Sequence, residues 1–155
     1  MRSLDPFRIP LAGTQLIEAS AGTGKTFTIA LLYLRLVMEQ GLGADQILVV
    51  TYTNAAVAEL RERIRARLHE VAAALEARLA TGVPVERGPH SRVKEMVDAS
   101  ISRGEPLEEL ERLRRALRGF DEAAIFTIHG FCSRILEENA FESGVAFDTE
   151  LVPDQ

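Results

Sequence analysis

The run Ala19-Ser20-Ala21-Gly22-Thr23-Gly24-Lys25-Thr26 constrains this chain more than any other stretch. It follows a short apolar segment, Leu16-Ile17, and leads into Phe27-Thr28-Ile29-Ala30-Leu31-Leu32-Tyr33-Leu34, whose pattern predicts a helix. A strand, a glycine-rich turn and a helix opened by Lys-Thr together form a phosphate-binding context. Backbone N–H groups freed at the turn and at the helix N-terminus converge on one spot, and the helix dipole favours negative charge there. Gly22 and Gly24 allow torsions and a close approach that a Cβ would hinder. Lys25 can reach the β- and γ-phosphates, and the Thr26 hydroxyl can ligate Mg²⁺. One departure stands out: the usual pattern opens on Gly, and here Ala19 takes that place.

The chain's 155 residues suffice for one modest α/β domain. With 46% apolar and 26% charged residues the composition is that of a soluble globular protein. The net charge of −5 argues against a surface that is basic throughout, but a local positive groove can sit on an acidic protein. Cys132 is the only cysteine, so no intrachain disulfide forms, which fits a reducing, cytoplasmic setting. Its expected role is that of a small buried core residue. No stretch is apolar and long enough to span a bilayer, and the first residues lack a signal-peptide hydrophobic region.

Residues 5–13 read as an irregular approach and residues 15–19 as a first strand. Residues 26–40 form an expected helix, closed by Gly41 and Gly43. The β-branched and apolar run 47–51 predicts a parallel strand buried on both faces. Asn54 starts a long helix to about residue 79, with one apolar stripe at Val57, Leu60, Ile64, Leu68, Val71 and Leu75. A loop over 81–90 precedes two amphipathic segments, 91–102 and 107–118. Residues 123–128 predict a third buried strand, His129 opens a helix to about residue 141, and 142–155 read as irregular. Strands alternating with helices imply a parallel sheet with right-handed crossovers.

Two further constellations lie at strand ends. Thr51, Tyr52, Thr53 and Asn54 follow the second strand, at the edge where open α/β sheets gather ligand groups. Tyr52 offers a flat face and its neighbours offer short polar groups, which suits single-stranded nucleic acid. A helix cap at Thr53 or Asn54 explains the same residues equally well. Thr127 and His129 end the third strand in the same way. His129 can donate to a phosphate or stack on a base, or serve only the local structure. Arg61, Arg63, Arg65 and Arg67 on the long helix, and Arg112, Arg114, Arg115 and Arg118 later, read as solvated faces with helical ion pairs.

Taken together, residues 19–26, the run from Leu48 to Ile64 and the run from Phe126 to Cys132 resemble the first ordered motifs of superfamily-one helicases of the UvrD/Rep family. Residues 16–20, 121–124 and 139–144 narrow the likeness to the large helicase–nuclease subunits of exodeoxyribonuclease V. The resemblance runs nearly end to end and is weakest between residues 81 and 119. It implies a RecA-like P-loop NTPase fold: a parallel sheet with flanking helices, part of a first motor domain. A helical insertion over about 82–118 and the start of an accessory subdomain over about 137–155 come with it.

The family implies that Ala19, Ser20, Ala21, Gly22, Thr23, Gly24, Lys25 and Thr26 bind ATP, with Lys25 on the phosphates and Thr26 on Mg²⁺. Thr51, Tyr52, Thr53, Asn54, Thr127 and His129 would contact single-stranded DNA. The usual Phe of the second motif is Tyr52 here, which keeps the aromatic face. Gln15 is too near the loop to match the family's adenine-reading glutamine. Implied partners are DNA, as single strand and duplex end, and RecC-like and RecD-like subunits of a heterotrimer, with no membrane. The acidic motif that holds Mg²⁺, the second motor domain with its arginine finger, and the nuclease domain are all expected beyond residue 155. The chain alone is therefore expected to hold ATP weakly and to be inactive as helicase and nuclease. Two other readings remain: another P-loop NTPase or kinase, and a non-catalytic module that docks residues 91–118 on a partner.

Overall fold

A computed structural model describes residues 5–18, 24–85 and 91–139. Helix α1 spans Lys25–Gln40. Its Leu, Ala and Met content favours the helix. Gly41 ends it at φ 69°, a left-handed torsion in which its N–H reaches the Leu36 carbonyl. Helix α2, Asn54–Thr81, runs for 28 residues from a Thr53 cap to Gly82 at φ 70°. Its buried stripe is Leu60, Ile64, Leu68, Val71, Ala72 and Leu75, as the spacing implies, while Val57 is only half-buried.

Helices α3 (Ser91–Arg103) and α4 (Pro106–Arg118) complete the helical layer. α3 packs on α2, and α4 packs on both α1 and α2. Pro106 sits at the start of α4, where its missing N–H costs nothing. The shared core holds Leu34, Val37 and Met38 of α1, Ile64 and Leu68 of α2, Met96 and Val97 of α3, and Leu113 of α4. Burying each such side chain is worth about 1.5–3 kcal/mol.

Two polar anchors lie inside this layer. Arg35 donates to the carbonyls of Pro6 and Ile9, both at 2.8 Å, and pairs with Glu39. Glu109, 1% exposed, accepts two hydrogen bonds from Arg103 at 2.6 and 2.8 Å. Those bonds, above all, raise the Arg103 guanidinium above its ordinary pKa.

Strands β1 (Val49–Thr51) and β2 (Ile125–Thr127) pair in parallel, with Val49 opposite Ile125 and Thr51 opposite Thr127. Both are shorter than the runs 47–51 and 123–128, because Ile47-Leu48 and Ala123-Ala124 lead in through the 3-10 turns Ala44–Gln46 and Phe120–Glu122. α2 packs on this pair, and Ile125 faces it at 1% exposure. The other face is open, with Leu48 48% and Val50 41% exposed, so β1 is not buried on both faces as its composition suggests. Helix α5, Ile128–Glu138, lies on that open side, where the Phe131 and Phe126 rings stand 6.5 Å apart. It begins at Ile128 rather than His129, and none of its residues is buried.

Residues 15–18 do not form the expected first strand. Leu16 is 87% exposed and Ile17 half-buried, with no strand alongside to complete their hydrogen bonds. The sheet among the described residues therefore has two strands rather than three. Cys132 is exposed, not a core residue, because among the described residues nothing buries the face of α5 that carries it. The expected helical end near residue 141 and the segment 142–155 lie outside the described residues.

Candidate nucleotide and nucleic-acid sites

Of the phosphate loop, Gly24, Lys25 and Thr26 are described, and Ala19, Ser20, Ala21, Gly22 and Thr23 lie outside the described residues. Gly24 adopts φ 83°, a left-handed torsion that favours glycine. Among the described residues a Cβ there would meet only Phe27 Cβ, at 3.9 Å, and the torsion itself calls for glycine. Lys25 opens α1 and is exposed, and Thr26 is half-buried beside it. The first turn of α1 carries no acidic residue. A helix N-terminus leaves its first amides without intrahelical partners. Such amides beside an exposed ammonium fit a phosphate, and the adjacent Thr26 hydroxyl fits a magnesium ligand. Gln15 turns its amide to the Ala12 carbonyl at 3.3 Å.

The two strand-end motifs meet. The register that sets Thr51 opposite Thr127 brings the start of α2 and the start of α5 to one edge of the sheet. Both helices open on a threonine cap. Thr53 Oγ1 accepts from the Ala56 N–H at 3.1 Å, and Thr127 Oγ1 accepts from the Gly130 N–H at 3.0 Å. The capping role open to Thr53 on sequence grounds is thus present, and Thr127 shares it. Asn54 and His129 are exposed beside the caps, and Tyr52 is 85% exposed. Neither helix has an acidic residue in its first turn, whereas α4, elsewhere in the fold, has Glu108 and Glu109 there. Two helix N-termini with no carboxylate in their first turns make this edge attractive to anions.

The start of α1 and this edge are apart. The first turn of α1 rests against the middle of α2, where the Arg67 guanidinium sits 5.4 Å from the Phe27 ring centroid. Asn54 to Arg67 is about 20 Å along a helix. A groove lined by Leu48, Phe126, Phe131 and Ile135 beside α5 lies elsewhere again, and Thr51, Tyr52, Thr53, Asn54, Thr127 and His129 do not line it.

Several arginines do more than decorate a solvated face. Arg61 is half-buried and donates to the carbonyls of Ala123 and Ile125 at 2.8 and 3.2 Å. Arg65 pairs with Asp121 at 2.9 Å and covers the Phe120 ring. Arg112 donates to the Met38 carbonyl, tying α4 to α1. These partners lie far along the chain, so helical spacing gives no signal of them. Arg63, paired with Glu59 within α2, is the solvated helical pair the sequence suggests. Among the described residues no group of three or more His, Cys, Asp or Glu is placed to hold a metal ion, and no helix is long and apolar enough to cross a membrane.

Comparison with known proteins matches residues 5–154 to the UvrD/REP helicase N-terminal domain. The chain is 48% identical to the RecBCD enzyme subunit RecB of Escherichia coli, over 99% of this chain and 13% of that protein. It is 42% identical to the same subunit of Haemophilus influenzae, over 98% of this chain and 13% of that protein. The Mycobacterium tuberculosis subunit is 37% identical over 92% of this chain and 12% of its own length. The chain thus spans about an eighth of the length of these relatives. The matched residues take in the phosphate loop and both strand-end motifs, and the chain belongs to the UvrD/REP helicase N-terminal domain family.

Proposed function

We propose that this chain supplies the phosphate-gripping part of an ATP site and part of a single-stranded DNA track in an ATP-dependent helicase and nuclease subunit of the RecB kind. That subunit would serve double-strand-break repair and recombination in the cytoplasm, with RecC-like and RecD-like subunits as its companions. Residues 82–118 would be a helical insertion in the motor domain, and 137–155 the start of an accessory subdomain. The observation that carries the reading is the register of Thr51 opposite Thr127, which joins two capped helix N-termini free of carboxylates in one edge.

In this scheme residues 19–26 would hold the phosphates of ATP, with Lys25 as a donor to them and the Thr26 hydroxyl as a ligand for the Mg²⁺ that hydrolysis requires. At the other site, amides at the starts of α2 and α5 hold the DNA backbone. Tyr52 presents its ring to a base, a contact worth about 1–3 kcal/mol. Asn54 and His129 add donors to phosphate or base edges. Thr53 and Thr127 act chiefly by holding the two helix starts open toward the strand, since their hydroxyls already accept amide hydrogens.

The test is titration of the full chain with a labelled ATP analogue and, separately, with a fluorescent oligothymidylate across a salt series. The reading expects both to bind, with oligonucleotide affinity falling as salt rises. Nucleotide binding with no response to single-stranded DNA at any salt would overturn the DNA half.

A further inference from the structure

The Ala124 carbonyl accepts from the Val49 N–H of β1 at 2.9 Å. Its neighbours on either side, the carbonyls of Ala123 and Ile125, consequently face the opposite edge of the segment that leads into and forms β2. Both accept from one group, the Arg61 guanidinium, and the Ala123 carbonyl accepts the Ile125 N–H as well, at 2.8 Å. Arg61 projects from the second turn of α2, seven residues after Asn54. Its two acceptors end two residues before Thr127. A half-buried cation bonded to two carbonyls of one extended segment fixes position along the strand as well as distance, because both bonds hold in only one register.

We infer that Arg61 is a positioning residue for the single-strand edge: it locks the start of α2, with Tyr52 and Asn54, to the start of α5, with His129, at one spacing. The inference rests on the DNA reading of that edge. The β1–β2 ladder alone leaves this relation loose, since it is only three residue pairs long. Isolated short pairings of this kind are marginal in water. α2 reaches the ladder through side-chain packing, which resists separation but slides more readily than a pair of directed bonds. Arg61 supplies the directed bonds. The contact of α2 with the start of α1, where Arg67 and Phe27 meet, lies six residues further along the helix, so the bonds of Arg61 bear first on the DNA edge.

The experiment compares Arg61→Ala and Arg61→Lys with the unaltered full chain. Three quantities are read: affinity for a fluorescent oligothymidylate, affinity for a labelled ATP analogue, and thermal midpoint. Arg61→Ala is expected to lose roughly tenfold in oligonucleotide affinity, the loss typical of hydrogen bonds from a charged group, with ATP affinity within about twofold of the unaltered chain. Arg61→Lys, which keeps a charge and several donors, is expected to regain most of the loss. In a double-mutant cycle with His129→Ala the two losses should be less than additive, because His129 without its fixed spacing has little left to lose.

A residue that merely holds the fold together would lower ATP and oligonucleotide affinity in parallel and would add fully to His129→Ala; that pattern overturns the inference. So does oligonucleotide affinity unchanged in Arg61→Ala while the unaltered chain binds. If the unaltered chain binds no oligonucleotide at all, the DNA reading of the edge is itself overturned and the inference falls with it.

Discussion

Thr51 and Thr127 stand opposite each other in the parallel strand pair, and each ends its strand where a helix is about to begin. The chain reaches the first helix through Thr53 and the second through Thr127 itself. One hydrogen-bonded ladder therefore brings together two helix N-termini separated by more than seventy residues of sequence.

The two caps give the first expectation. Thr53→Ala and Thr127→Ala should each destabilise the chain by about 1 kcal/mol, while the serine variants, which keep the accepting hydroxyl, should remain near the parent. Urea denaturation midpoints at constant slope measure this. A loss in Thr53→Ser equal to that in Thr53→Ala would assign the effect to the methyl group instead.

Lys25 is exposed at the first position of α1, so its role is legible through ligand rather than fold. Lys25→Ala should weaken ATP binding by about tenfold or more, the worth of a charge-assisted hydrogen bond, and shift stability by less than about 0.5 kcal/mol. Equilibrium nucleotide binding alongside thermal unfolding checks both halves. Unchanged affinity would remove Lys25 from the phosphate site.

The Arg103–Glu109 pair behaves asymmetrically. Glu109 is 1% exposed and Arg103 about a third exposed, so removing the arginine strands a buried carboxylate, whereas removing the glutamate frees a cation that can turn to water. Arg103→Met is expected to cost about 3 kcal/mol, and Glu109→Gln less. The double variant Arg103→Met/Glu109→Leu should recover most of the loss. Chemical denaturation of the three variants decides it, and equal losses in the two single variants would contradict the asymmetry.

Tyr33 supplies a pH signature. Burial pushes its phenol from 10.0 up to about 12. A folded pKa above the unfolded one means the neutral phenol favours the folded state. Its contribution is whole below about pH 10 and is lost as pH rises from there through about 12. Tyr33→Phe should flatten that part of the stability profile. An alkaline decline just as steep in Tyr33→Phe would place its cause elsewhere.

The long helices were legible because an apolar stripe needs only local spacing: Leu60, Ile64, Leu68 and Leu75 mark the buried side of α2 in sequence and in structure alike. Caps were legible for the same reason, Thr53 lying three residues before the amide it serves. Pairing is different in kind. Leu16 and Ile17 have strand composition, but a strand needs a neighbour, and composition cannot say whether one stands there. Cys132 belongs to an amphipathic helix of which no described residue is buried, so a residue type that is usually buried is exposed. Arg61 reads as one arginine among four because its acceptors lie sixty-two and sixty-four positions away.

The Arg35 anchor has a bearing on how the nucleotide is met. Arg35 belongs to α1, the same helix that Lys25 opens, and it grips the chain at Pro6 and Ile9. The stretch between Ile9 and Lys25 therefore leaves and returns to one rigid rod. The entropy of bringing its two ends together is spent during folding, before any ligand arrives. None of a phosphate group's binding energy there goes to bringing the two ends together, and that share survives as affinity.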